Sequence, residues 1–168
     1  MNPTVVVLIG PPGAGKSTLC QRAFPDFFRV SQDDRGRNRH FTEFLASLEK
    51  RCGHIVVDKT SGSVAEREKY VFEAKRRGYT VVAIVFKVPY DLCVSRVLSR
   101  SGHKFSTTQK KSERCVVGIK TWFTKFEVPT EAEGFTTIRV INRFEQEHLS
   151  VERLRSDLGV EIYENDLR

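Results

Sequence analysis

The chain has 168 residues, of which 39% are hydrophobic and 29% are charged, and its formal net charge is +7. This length and balance predict one domain with an apolar core and exclude a disordered chain. The apolar runs are far shorter than the ~18 residues of a membrane span, and no signal peptide is recognised, so we expect an intracellular protein, nuclear or cytoplasmic, without membrane association. The four cysteines form no Cys-x-x-Cys pair, which excludes the usual zinc ribbons. The positive charge favours a polyanionic partner such as nucleic acid.

Short apolar runs alternate with helical patterns along the chain. Strands are predicted at 4–9, 27–31, 54–58, 79–86 and 136–141, and helices at 16–24, 39–51, 64–77, 89–99, about 116–126 and 145–158. This alternation is typical of an α/β domain with a largely parallel sheet. The polar and basic segment 100–115 is expected to form a small lid, and Trp122 is expected in the core rather than on a base-stacking surface.

The segment between the first strand and the first helix, Gly10-Pro-Pro-Gly-Ala-Gly-Lys-Ser17, matches the phosphate-loop pattern G-x-x-x-x-G-K-[ST]. Its glycines let the backbone curl so that N–H groups face phosphate oxygens, and the helix that follows adds its positive end. Lys16 is expected to contact the β- and γ-phosphates of ATP, and Ser17 is expected to bind Mg²⁺. The predicted ATP-binding residues of this segment are Gly10, Gly13, Ala14, Gly15, Lys16, Ser17 and Thr18.

Two adjacent carboxylates, Asp33 and Asp34, follow the second strand. Ligands of open α/β sheets bind beyond the carboxyl ends of the strands, so this pair should face the same crevice as the phosphate loop. Asp33 is predicted to accept the proton of an attacking hydroxyl, and Asp34 to support it. Arg35 and Arg37 come next, and their planar guanidinium groups suit phosphate binding. The alternative is that an aspartate caps the next helix and that the arginines are solvated.

Asp58 closes the third strand, where an acid can orient a Mg²⁺-bound water or support Ser17; the alternative is a solvated carboxylate. Arg96 and Arg100 lie four residues apart on one predicted helix face, and Arg100 opens the lid. A cation carried by a lid can stabilise the charge that spreads over the transferring phosphoryl group. The alternative for this arginine pair is an exposed basic helix face.

These motifs resemble the kinase domain of the polynucleotide 5′-hydroxyl kinase family, which includes phage polynucleotide kinase and the kinase half of metazoan polynucleotide kinase-phosphatase. The resemblance covers about residues 4–141. Its most specific segments are Phe86-Lys-Val-Pro-Tyr90 and Phe126-Glu-Val-Pro-Thr-Glu-Ala-Glu-Gly-Phe135. The other matching segments are 10–18, 31–34, 56–58, 67–78 and 93–96 with Arg100.

The resemblance implies a P-loop kinase fold, with a five-stranded parallel sheet flanked by helices and a small lid, over a single domain at 1–168. It implies Mg²⁺-dependent transfer of the ATP γ-phosphate to the 5′-hydroxyl end of DNA or RNA. In that activity Asp33 is the general base, Lys16 acts at the triphosphate, Arg100 is the lid arginine and Arg96 lies near the nucleobase.

Two positions depart from the family pattern. Gly36 stands where the family often has an acceptor-binding arginine, so Arg35 or Arg37 is expected to take that place. Asp58-Lys59-Thr60 replaces the usual Asp-x-Asn, so Lys59 is expected to supply an acceptor contact instead.

Residues 142–168 match no part of the pattern and form a C-terminal extension of unclear role. The chain has no phosphatase signature, although association with a phosphatase or a ligase would fit the family. Two other functions stay open: a kinase of a small metabolite on the same fold, and an inactive module that binds nucleotide or nucleic acid.

Overall fold

The computed structural model describes residues 2–32, 39–100 and 109–160, and it describes the backbone alone at 109–111. Its strands are β1 (Thr4–Ile9), β2 (Phe28–Ser31), β3 (His54–Asp58), β4 (Thr80–Lys87) and β5 (Thr137–Asn142). The helices are α1 (Lys16–Ala23), α2 (Arg39–Glu49), α3 (Val64–Arg76), α4 (Tyr90–Arg100), α5 (Gln109–Lys125), α6 (Arg143–His148) and α7 (Val151–Asp157), with a 3₁₀ turn at Glu131–Glu133. Within the described residues the five strands form one parallel sheet in the order β2-β3-β1-β4-β5. The predicted α/β class with a five-stranded parallel sheet is confirmed.

Strand β1 is the centre of the sheet and is buried along its whole length. Val5 lies opposite Ile55 of β3 on one side and Val81 of β4 on the other. Side chains of α1, α4 and α7 pack on one face of the sheet, and side chains of α2 and α3 pack on the other. A strand covered on both faces is expected to be apolar along its length, which explains the uninterrupted apolar run from Val5 to Ile9. None of the described helices has the length and hydropathy that a bilayer crossing requires.

A buried arginine braces the loop that follows β3. Arg67 of α3 has no exposed surface, and its Nε and a terminal nitrogen donate to the two carboxylate oxygens of Glu133 at 2.8 and 2.9 Å. Its other terminal nitrogen donates to the backbone oxygens of Ser61 and Gly62, at 3.1 Å each. The guanidinium group therefore fixes the backbone between β3 and α3 to the 3₁₀ turn.

The segment 126–135 carries the most specific part of the family resemblance. It also holds the loop after β3 through hydrogen bonds of its own. The N–H of Glu127 donates to the backbone oxygen of Gly62 at 2.9 Å, and its carboxylate accepts from the N–H of Val64 at the same distance. Phe135 closes the segment as part of the core on that face of the sheet. The segment is thus structural: it holds the loop after β3 in place.

The C-terminal part of the chain packs on α1. Arg155 of α7 donates to both carboxylate oxygens of Asp26 at 2.7 and 2.8 Å, and these hydrogen bonds hold the pKa of Asp26 below its ordinary value. Leu154 and Leu158 are buried in the core beside α1. The described part of the predicted extension, 142–160, is therefore an integral layer of the fold.

Two element predictions are wrong by more than a shift of one or two residues at an end. The helix expected at 145–158 is two helices, because Ser150 caps a new helix by accepting from the N–H of Arg153. Helix α5 begins at Gln109, so the second half of the predicted lid is helical. Residues 101–108 of that lid lie outside the described residues.

Replacing Arg67 with methionine should lower the free energy of unfolding by about 3–5 kcal/mol, because the carboxylate of Glu133 would stay in a nearly buried place without its cation. Urea unfolding followed by circular dichroism measures this. Arg76→Met is the matched control, since Arg76 lies on the same helix with 59% of its side chain exposed. That variant should stay within about 0.5 kcal/mol of the parent chain. Equal effects of the two substitutions would contradict the stabilising role of the buried Arg67 contacts.

Candidate functional site

The phosphate loop joins the end of β1 to the start of α1. Gly13 and Gly15 adopt left-handed backbone conformations, with φ of 79° and 98°. A Cβ on Gly13 would lie 2.6 Å from the backbone oxygen of Cys93 in α4, so a side chain is excluded there by space as well as by conformation. The curl that the motif predicts is present, and α4 packs closely against it.

Helix α1 begins without a side-chain cap. Gly15 is its N-cap residue, and the first turn holds no acidic residue. Helix α3 differs, because Ser63 and Glu66 form a complete capping box at its start. The first N–H groups of α1 and the positive end of its dipole are therefore available to an anion.

The side chain of Lys16 reaches back across the loop. Its ammonium group donates to the backbone oxygens of Gly10 and Pro11, at 2.9 and 2.7 Å. These contacts hold the charge beside the loop. A bound phosphate would offer stronger, charge-assisted hydrogen bonds in exchange.

Asp58 links three elements at the carboxyl end of β3. Its Oδ2 accepts from the hydroxyl of Ser17 in α1 at 3.0 Å, and from Nε and a terminal nitrogen of Arg29 in β2 at 3.0 and 2.5 Å. The residue is only 6% exposed, and the guanidinium group compensates its buried charge. Sequence reasoning missed Arg29, although one charged residue inside the short apolar segment 27–31 was a signal of a buried ion pair.

The loop after β3 places Lys59 beside α3. The Lys59 ammonium lies 3.6 Å from a carboxylate oxygen of Glu66, and burial lowers the pKa of Lys59 while that carboxylate opposes the shift. The backbone oxygen of Thr60 accepts from the N–H of Gly10 at 3.0 Å and from the indole nitrogen of Trp122 at 3.1 Å. Trp122 is buried, as predicted, and it ties the loop to α5.

These parts surround one open cleft with a volume of about 1340 Å³. Its walls are the phosphate loop with the first turn of α1, the end of β2, the loop after β3, the end of α4 and one face of α5. The predicted site residues that line it are Gly13, Gly15, Lys16, Ser17, Asp58, Lys59 and Arg100. The fold thus brings together predicted site residues from three separate segments of the sequence.

Arg96 lies on the outer side of the phosphate loop. One terminal nitrogen of its guanidinium group is 3.2 Å from the backbone oxygen of Gly13 and 3.4 Å from that of Ala14. Together with Thr18, Arg96 lines a second cavity of about 250 Å³, which Gln146 of α6 also lines. Gln146 belongs to no motif in the sequence, so its place beside the loop was not predicted.

The proposed acceptor residues Asp33, Asp34, Arg35 and Arg37 lie outside the described residues. Gln32, which directly precedes them, lines the cleft. Their roles stay predictions from the sequence.

No family model matches the chain. A curated relative, the transcription factor bHLH140 of Arabidopsis thaliana, is 30% identical over 145 residues. The alignment covers 80% of this chain and 15% of that protein, so the chain spans only a small part of its relative's length.

Solved structures show the same fold at low sequence identity. Kti12 of Chaetomium thermophilum, in complex with ADP-AlF3, matches with a TM-score of 0.67 and 11% identity over 92% of this chain and 98% of that one. A fungal RNA kinase matches with a TM-score of 0.65 and 16% identity over 84% and 74%. A gluconokinase of Sinorhizobium meliloti matches with a TM-score of 0.58 and 17% identity over 94% and 96%. The chain has a P-loop kinase fold.

Replacing Lys16 with alanine should weaken the binding of ATP by about tenfold to a hundredfold, the loss expected when a charge-assisted hydrogen bond is removed. Titration calorimetry measures the affinity, and circular dichroism verifies the fold. Lys50→Ala, at an exposed lysine after α2, is the control and should bind like the parent chain. Unchanged ATP affinity in a folded Lys16→Ala protein would remove the phosphate-loop assignment.

Proposed function

We propose that the chain is an ATP-dependent polynucleotide kinase that transfers the γ-phosphate to the 5′-hydroxyl end of DNA or RNA, in the nucleus or the cytoplasm. One observation carries this proposal: the phosphate loop opens into a cleft of about 1340 Å³ whose walls hold more cations than anions. Ordinary small-molecule pockets measure roughly 300–1000 Å³. The cleft therefore has room for a triphosphate together with a large acceptor.

The charges around the cleft suit two phosphate-bearing substrates. The acids on its walls are Asp58, Glu66 and Glu113, and the cations are Lys16, Lys59, Arg100, Arg114 and Lys125. Arg29 already compensates Asp58, and Lys59 lies beside Glu66. Arg114 and Lys125, both exposed on α5, add positive charge on the wall that α5 forms, where the backbone of a nucleic acid can lie.

The donor end of the site fits Mg²⁺. The hydroxyl of Ser17 and the carboxylate of Asp58 are oxygen donors next to the start of α1, and Mg²⁺ is commonly held by one or two such groups together with phosphate oxygens and water. The described residues hold no larger cluster of acidic, histidine or cysteine side chains that could bind a metal. Bound Mg²⁺ would neutralise the charge that develops on the β- and γ-phosphates.

The acceptor end is assigned from the sequence. Asp33 takes the proton of the attacking 5′-hydroxyl, Asp34 supports it, and Arg35 or Arg37 binds a phosphate of the acceptor. Gln32, which directly precedes this segment in the sequence, lines the cleft. Arg100, at the end of α4, supplies the cation that engages the γ-phosphoryl group during transfer.

A kinase of a small metabolite is the rival within the same fold, since a gluconokinase shares it. Fold similarity at 17% identity favours neither substrate class. The size and charge of the cleft and the resemblance at 86–90 and 126–135 favour a nucleic acid end. Since the relative bHLH140 is far longer than this chain, we also propose that the kinase works beside other domains or with a phosphatase or ligase partner.

Replacing Asp33 with asparagine should lower kcat on a 5′-hydroxyl oligonucleotide by about 10²–10⁴, because the proton acceptor is lost while the shape is kept. ATP affinity should change by only a few-fold, since the phosphate loop does not need this carboxylate. Asp34→Asn is the matched control and should cost less. Steady-state kinetics and ATP titrations of both variants measure this.

If Asp34→Asn is the more damaging change, the base is assigned to the wrong carboxylate. If neither change slows transfer, the acceptor site does not lie at the end of β2.

Binding of a single-stranded 5′-hydroxyl oligonucleotide should weaken as salt rises, because cations of the cleft displace counterions from its phosphates. Lys125→Gln should reduce the slope of log affinity against log salt by about 0.7, the value of one phosphate contact. Lys120→Gln should leave it unchanged, because Lys120 lies on the same helix and is not among the residues that line the cleft. Fluorescence anisotropy at several salt concentrations measures both. A flat salt response of the parent chain would favour the small-metabolite rival.

A further inference from the structure

The backbone oxygen of Ala14, in the middle of the phosphate loop, is held from outside by two side chains. The amide nitrogen of Gln146 donates to it at 2.8 Å, and a terminal nitrogen of Arg96 lies 3.4 Å away. The same nitrogen of Arg96 also donates to the backbone oxygen of Gly13 at 3.2 Å. Two successive carbonyl groups of the loop therefore have partners on its outer side.

Gln146 is itself held in position. Its amide oxygen accepts from both terminal nitrogens of Arg96 at 3.4 Å each. Its amide group also lies against Gly15, since the amide oxygen and nitrogen are 3.6 and 3.7 Å from where a Cβ on that glycine would be. Its backbone oxygen accepts from Arg22 of α1 at 3.4 Å. The half-buried side chain is thus fixed on α6 between the guanidinium group and the loop.

This arrangement orients a backbone N–H group, that of Gly15. In a trans peptide unit the C=O and the following N–H point in opposite directions. Holding the oxygen of Ala14 outward therefore turns the N–H of Gly15 toward the inside of the loop, where phosphate oxygens bind. The N–H of Ala14 is already bonded to the backbone oxygen of Pro11 at 3.2 Å, so the N–H of Gly15 is the next donor along the chain.

We propose that Gln146 is a positioning residue of the donor site, which acts on phosphate binding through the backbone of Ala14 and Gly15. An amide is the suitable group because it donates to a carbonyl oxygen and accepts from a guanidinium group at the same time. A loop set in its binding conformation before the ligand arrives loses less freedom on binding. This role gives the C-terminal segment a part in nucleotide binding, and it rests on the proposed function for the identity of ATP as the donor.

The test compares a ligand that has phosphates but no base with a ligand that has a base but no phosphates. Gln146→Met keeps the side-chain volume and removes the hydrogen bonds to Ala14 and from Arg96, so the affinity for inorganic tripolyphosphate should fall by about threefold to tenfold. The affinity for adenosine is measured beside it, because Gln146 also contacts Arg96, which is expected near the nucleobase; tripolyphosphate has no base, so its loss reports on the loop alone. Gln146→Glu still accepts from Arg96 but cannot donate to Ala14, so its loss for tripolyphosphate should be at least as large.

The matched control is Gln21→Met, at an exposed glutamine of α1, which should bind tripolyphosphate like the parent chain. Thermal unfolding verifies that the variants are folded. Unchanged tripolyphosphate affinity in either Gln146 variant, or a loss confined to adenosine, would overturn the positioning role. A parent chain that binds neither tripolyphosphate nor ATP would contradict the proposed function itself and remove this role with it.

Discussion

The site depends on the hydrogen bonds that the carboxylate of Asp58 accepts. This carboxylate accepts from Ser17 at the start of α1 and from Arg29 in β2, so it fixes the donor side of the cleft to the strand that leads toward the predicted acceptor segment. Phosphoryl transfer requires its two substrates in line, and catalysis of this reaction consists mainly of positioning and charge stabilisation. In the proposed reaction, a carboxylate that joins α1, β2 and β3 would set that geometry before either substrate binds.

Two further pairs of side chains hold the walls of the cleft in place. Arg67 and Glu133 fix the loop after β3, and Arg96 with Gln146 fixes the outer side of the phosphate loop. Arg67, Arg96 and Gln146 donate to backbone oxygens through directional hydrogen bonds, and Glu133 holds Arg67 in place by accepting from it. Apolar packing fills space but does not orient a peptide group, so a site made of backbone donors needs polar partners of this kind.

The parallel sheet and the phosphate loop could be predicted because their signals are local. The β-branched run of β1 and the spacing of Gly10 to Ser17 each lie within a few residues. The contact of Arg67 with Glu133 joins positions 66 residues apart, and no pattern in one sequence links them. The start of α6 at Arg143 had a readable signal that was missed, since Asn142 and Glu145 have the spacing of a capping box and form one.

The central claim is that this cleft transfers a phosphoryl group from ATP to a nucleic acid end. The most direct measurement follows label from [γ-³²P]ATP into three acceptors offered in parallel: a 5′-hydroxyl oligonucleotide, the same oligonucleotide with a 5′-phosphate, and a set of small sugar alcohols and sugar acids. The account predicts Mg²⁺-dependent labelling of the 5′-hydroxyl oligonucleotide and of neither other acceptor. Labelling of a sugar alcohol or sugar acid with none of the oligonucleotide, or label transfer that ignores the state of the 5′ end, would contradict it.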